Sequence, residues 1–139
     1  MPEDDGRRIL SALWEETRRV GYDDLRNGLP FNLHGVPEEE IGGVVFGLPL
    51  GGYLQGGASH HRLGPVITAL GRVGMRAEAD ALLEALASTI ADDSAFGGVG
   101  SGRDWRMWDG TPSGYEGQLA EGFSVLAAAL DRWGAPVRR

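Results

Sequence analysis

The sequence predicts a mainly α domain of antiparallel helical hairpins joined by long glycine-rich loops. Apolar residues recur at helical spacing in several runs. The clearest are Leu63, Val66, Ile67, Leu70 and Val73, then Ala79, Leu82, Leu83, Leu86 and Ile90. Only Gly74-Met75 separates these two runs, which is short enough to fold them back on each other. The third observation is glycine, 23 in 139 residues, more than double the usual ~7%. These glycines have no period and sit beside Trp, Tyr, Phe and Leu, so they read as turns and close approaches rather than flexible linker.

Each element follows from its own pattern. Residues 1–6 are expected to fray. Arg7 to Arg19 reads as a helix with Leu10, Leu13, Trp14 and Thr17 on one face, closed by Gly21. Tyr22 to Gly57 is the least regular stretch. Asn27-Gly28 marks a turn, and Val36-Pro37-Glu38-Glu39-Glu40 has Pro and acids where a helix begins. Val44-Val45-Phe46 suits a short strand or buried extended run. Ser59 can cap the next helix, whose regular part starts at 62–64 because Pro65 is tolerated only in a first turn. The following helix spans Arg76 to Ala91. Asp92 to Pro112 reads as a loop holding a short strand around Trp105–Trp108. Ser113 opens a last helix with the stripe Leu119, Phe123, Leu126, Leu130 and Trp133, stopped by Gly134-Ala135-Pro136.

Length suits a single domain over residues 1–139 with a real core. Composition excludes several chemistries. The chain has no Cys and no Lys, and all 13 basic residues are Arg. Thiol nucleophiles, Schiff bases, thiolate metal sites and the P-loop lysine are therefore out. The formal charge of −7 disfavours nucleic acid. No run reaches the ~20 apolar residues of a membrane span, and the acidic start lacks the order of a signal peptide, so a cytoplasmic location is expected. No metal or cofactor is expected. Adjacent His60 and His61 would diverge by about 100° on a helix and cannot form one zinc face. Gly97-Gly98-Val99-Gly100-Ser101-Gly102 fits no dinucleotide frame.

Function concentrates between Phe96 and Gly117. Arg103-Asp104-Trp105-Arg106-Met107-Trp108-Asp109 holds two each of Arg, Asp and Trp. Indoles stack on sugar faces, while carboxylates and guanidinium groups bond hydroxyls. The same residues also suit an Arg–Asp-laced hairpin whose rings cover the core. Glu116 is a candidate general acid or base, with Asp109 or Asp104 as the second carboxylate of a glycosidase pair. Ser113-Gly114-Tyr115-Glu116 equally fits a capping box. Trp105, Trp108 and Tyr115 would be the stacking platform, and Arg103, His60 and Gln55 the polar contacts.

Tyr53-Leu54-Gln55-Gly56-Gly57, the hairpin 60–91 with its joint Gly74-Met75-Arg76-Ala77-Glu78-Ala79, and Trp108-Asp109-Gly110-Thr111-Pro112-Ser113-Gly114-Tyr115-Glu116-Gly117 before a final helix form a pattern. Over residues 50–133 it resembles the (α/α) toroid of six-hairpin glycosidase-like proteins. In that family inner and outer helices alternate, and Gly- and aromatic-rich loops at the inner-helix N-termini build the sugar site. A full ring has twelve helices and this sequence offers four or five. The resemblance therefore implies an incomplete toroid, acting as a fragment or subunit of a larger one.

Two functions are expected on this basis. The first is a carbohydrate-active protein that hydrolyses glycosides through paired carboxylates, with a carbohydrate or other polar small molecule as ligand. The second is a non-catalytic helical interaction domain whose Trp- and Arg-rich loop meets a protein partner, since Trp, Tyr and Arg are favoured at hot spots. Either implies a homo-oligomer or a partner chain to cover exposed helix flanks.

Overall fold

A computed structural model describes residues 3–30, 32–40, 50–52, 55–60, 63–92, 103–116 and 119–134. Four helices are described: α1 (Glu3–Arg19), α2 (Leu63–Arg72), α3 (Arg76–Asp92) and α4 (Leu119–Trp133). Four short strands, β1 (Leu29–Pro30), β2 (Ala58–Ser59), β3 (Arg103–Arg106) and β4 (Pro112–Glu116), form one antiparallel sheet in the order β1-β2-β3-β4. The mainly helical expectation holds, with this small sheet as an addition to it.

The first helix starts earlier than expected. Glu3, Asp4 and Asp5 fill its first turn and Arg18 and Arg19 its last, so charge opposes the helix dipole at both ends. Residues 3–6 are therefore helical rather than frayed. The acidic run after Pro37 makes only a 3₁₀ turn, Glu38–Glu40. The expected strand at 44–46 lies outside the described residues. Ser59 is a strand residue rather than a cap, and α2 begins four residues later at Leu63.

The α2–α3 hairpin matches its pattern. Leu63, Ile67 and Leu70 of α2 and Ala79, Leu82, Leu83 and Leu86 of α3 are buried, with Met75 from the joint beside them. The last helix does not match. Ser113 does not open it, because 112–116 is β4 and α4 starts at Leu119. Its buried residues are Val125 and Ala128, whereas Leu126, Leu130 and Trp133 are exposed. The short side chains let α4 pack closely on α2, and the larger stripe faces away.

Helix directions follow from the contacts. Arg132 in the last turn of α4 lies against Gly71 near the end of α2. Both helices also follow strands of the one sheet, β2 and β4, so α2 and α4 run parallel. The first half of α1 meets the α2–α3 joint: the Arg7 guanidinium lies by Gly74, and the mid-helix Ser11 hydroxyl is 3.6 Å from the Met75 sulfur. Near the end of α3, the Thr89 hydroxyl donates to the Arg26 carbonyl in the turn after α1, at 2.8 Å. α1 and α3 therefore run opposite to α2 and α4. All four strands gather at the end where α2 and α4 begin.

Gly28 makes this end possible. Its φ is +89°, and a Cβ there would overlap the Ser59 carbonyl. The backbone of β1 can lie against β2 only because this position has no side chain.

Candidate functional site at the strand end of the helices

The β3–β4 hairpin is the centre of this end. Arg103 pairs with Glu116, Trp105 with Ser113, and Arg106 with Pro112. The register shifts once between Arg103 and Trp105, leaving Gly114 and Tyr115 opposite Asp104 alone. The connecting turn is tied by the Met107 N–H to the Thr111 carbonyl and the Gly110 N–H to the Met107 carbonyl, each at 2.9 Å. The short strand expected at Trp105–Trp108 is therefore β3, two residues earlier.

Several candidate residues prove to be structural supports. The half-buried Trp108 donates its indole N–H to the Gly56 carbonyl and meets the Tyr22 ring in an edge-to-face contact, 5.4 Å between centroids. Its ring lies over Gly51, where a Cβ would sit 3.2 Å from the indole Cγ. A larger residue than Gly would push the indole away. Gln55 is 4% exposed, and its side-chain amide accepts from the Val36 N–H at 3.0 Å and donates to the Val36 carbonyl at 3.1 Å. It clasps a loop backbone as a strand neighbour would. Arg106 donates to the Asn27 side-chain oxygen at 3.0 Å, joining β3 to the turn before β1.

The candidate carboxylates do not all converge. Asp109 sits in the hairpin turn and accepts the Thr111 N–H at 2.8 Å. That N–H, followed by the Thr111 hydroxyl, holds its carboxyl below the usual range. Asp109 is therefore a turn-forming anion, unsuited to donating a proton near neutrality. Glu116 ends β4, so the capping-box reading fails; it is a strand residue paired with Arg103. Four strand steps of ~3.3 Å put roughly 13 Å between the Pro112 and Glu116 backbones. Asp109 lies beyond Pro112, whereas glycosidase carboxylates sit about 5–9.5 Å apart. Asp104 follows Glu116's partner Arg103 and is the carboxylate residue nearest to Glu116 along the hairpin. Tyr115 lies opposite Asp104, beside Glu116. Trp105 is half-buried next to this group, and His60 follows β2 at the same end of the molecule.

A second constellation went unnoticed in the sequence. Glu16 bonds Arg19 at 2.5 and 2.6 Å and His34 at 2.7 Å. The Arg19 hydrogen bond, aided by His34, holds the Glu16 carboxyl down at about 2. Beside it, Trp14, Thr17, Arg18, Tyr22, Asp23 and Leu25 line a cavity of about 300 Å³. Trp14 and Thr17 read as core positions of α1, and nothing in the irregular stretch from Tyr22 marks the opposite wall.

Among the described residues no group of three His, Asp or Glu side chains is placed to hold a metal ion. Among them, too, no helix is long and apolar enough to cross a membrane. Comparison with family models, with characterised proteins and with solved structures returned no match.

Proposed function

We propose that this chain is a carbohydrate-active domain, a segment of an (α/α) ring with its sugar-contacting surface at the strand end. The supporting observation is the direction of the helices. α2 and α4 run parallel in contact, α1 and α3 run opposite, and the Gly- and Trp-rich segments collect where α2 and α4 begin. In a ring of alternating inner and outer helices, that is the end that receives the substrate. Glu116 is the proposed acid or base; Asp109 is too far along the hairpin to be its partner, and Asp104, next to its pair Arg103, falls on the opposite face. Trp105, Tyr115 and His60 are the proposed sugar contacts. Trp108 and Gln55 hold the surface in shape.

The test is hydrolysis of a panel of aryl glycosides by the full chain and by Glu116→Gln. The expected result is turnover lost by at least 10²-fold in the variant, with sugar binding retained. Equal turnover in both proteins, or none in either, overturns the hydrolytic reading.

A second reading, an interaction domain, has one observation in its favour. Leu126, Leu130 and Trp133 leave an apolar stripe open on α4, and Ile9 and Leu13 leave another on α1. The partner in this reading is a second copy. Seating its α1 on α4 would continue the alternation of direction within the chain. A monomer by light scattering at high concentration rules it out.

A further inference from the structure

The cavity between the last turns of α1 and the segment after it has a composition of its own. Its volume, about 300 Å³, is at the small end of ligand pockets. Two of its six lining residues are aromatic, and two carry opposite charges.

Several of its polar groups are already engaged. The Thr17 hydroxyl donates to the Leu13 carbonyl at 2.8 Å. The buried Tyr22 hydroxyl donates to the Gly28 carbonyl at 2.8 Å, so Tyr22 offers the cavity only its ring. Arg18 and Asp23 are different. Both are exposed, and among the described residues neither forms an ion pair. The Arg18 guanidinium stands 5.8 Å from the centroid of the half-buried Trp14 ring.

We propose that this cavity binds a single neutral pyranose. The ligand class rests on the carbohydrate reading above; the location rests on the cavity. Trp14 and Leu25 present apolar surface to the C–H face of a sugar ring. Arg18 supplies donors only and the Asp23 carboxylate acceptors only, and a hydroxyl can satisfy both. The two charges cancel, which selects a neutral ligand. An anion would meet Asp23, and a cation would meet Arg18.

The experiment titrates the full chain with methyl β-glucopyranoside, methyl α-mannopyranoside, glucuronate and glucosamine, followed by NMR. Trp14→Phe identifies the Trp14 indole resonance. A neutral glycoside is expected to shift the Trp14 indole and the Arg18 and Asp23 amides. Arg18→Gln and Asp23→Asn should each weaken binding about tenfold, as expected for losing one hydrogen bond to a charged group. Both side chains are exposed, so the melting temperature of each variant should fall by no more than a few degrees and both should stay folded during the titration. If only glucuronate shifts Trp14, the cavity is an anion site and the proposal falls. If sugars move Trp105 and the hairpin but not Trp14, the proposal falls and the carbohydrate reading stands. If no sugar moves any resonance, both fall.

Discussion

α2 and α4 are built alike and buried differently. Both follow a strand of the same sheet, both run in the same direction, and both carry leucines at helical spacing. In α2 those residues are sealed: Leu63, Ile67 and Leu70 are 2%, 1% and 1% exposed. In α4 the corresponding stripe is open, with Leu126 at 53%, Leu130 at 61% and Trp133 at 48%. The difference is one of neighbours. α2 packs on α1, α3 and α4, whereas α4 packs on α2 and α3. Periodicity tells which residues share a face, but not whether anything lies against it.

The largest expected effect tests that contrast directly. Leu70→Ala should cost about 3 kcal/mol in urea unfolding, because it leaves a cavity in a sealed core. Leu130→Ala should change stability by no more than about 0.5 kcal/mol. Equal losses would mean that α4 is covered in solution, and the contrast between the helices would belong to the isolated chain only.

A smaller effect should separate the two strand entries. Gly28→Ala puts a Cβ into the Ser59 carbonyl and a side chain at φ +89°. A loss of about 2 kcal/mol is expected. Hydrogen exchange should accelerate in β2 and the first turn of α2, leaving α4 unchanged. Acceleration spread evenly over both helices would show that the sheet opens as one unit.

The smallest effect lies at the far side of α1. Glu16 has its carboxyl lowered from 4.5 to about 2. A carboxyl depressed by folding stabilises the folded state above its unfolded pKa, and the gain disappears as pH falls through the folded value. The melting-temperature gap between the wild-type chain and Glu16→Gln should thus be full above about pH 5, shrink as pH falls, and close only below about pH 2. A gap that is constant over this range would assign the effect to packing.

The α2–α3 hairpin was legible because one amphipathic pattern, an early Pro65 and a two-residue joint all agree. The β3–β4 hairpin was legible only in part: a strand near Trp105 and a hairpin were among the readings of that run, but the sequence assigns the residues of β4 to the start of the last helix. Ser113 and Glu116 have the spacing of a helix cap, and strands of four and five residues are too short for alternation to outweigh it. The last helix was found, yet its face was misread. Leu126, Leu130 and Trp133 make the stronger pattern, but Val125 and Ala128 are small enough to let α2 approach.

The candidate site was legible as a region more than as a set of roles. The unusual density of Trp, Arg and Asp does mark the hairpin on which the strand end is assembled. Trp108 and Gln55, however, are spent on backbone groups at Gly56 and Val36, 52 and 19 residues away in sequence. No local pattern encodes such partners. The cavity was hidden for a related reason. Trp14 belongs to the inward stripe of α1, and its opposite wall comes from Tyr22, Asp23 and Leu25, where the sequence has no period.

The ring of Tyr22 has two neighbours. It helps line the cavity, and it meets the Trp108 ring of the hairpin edge to face. Its hydroxyl is fixed on Gly28, so the ring cannot swing freely to suit either side. Tyr22 is thus shared between the cavity wall and the packing of the hairpin turn.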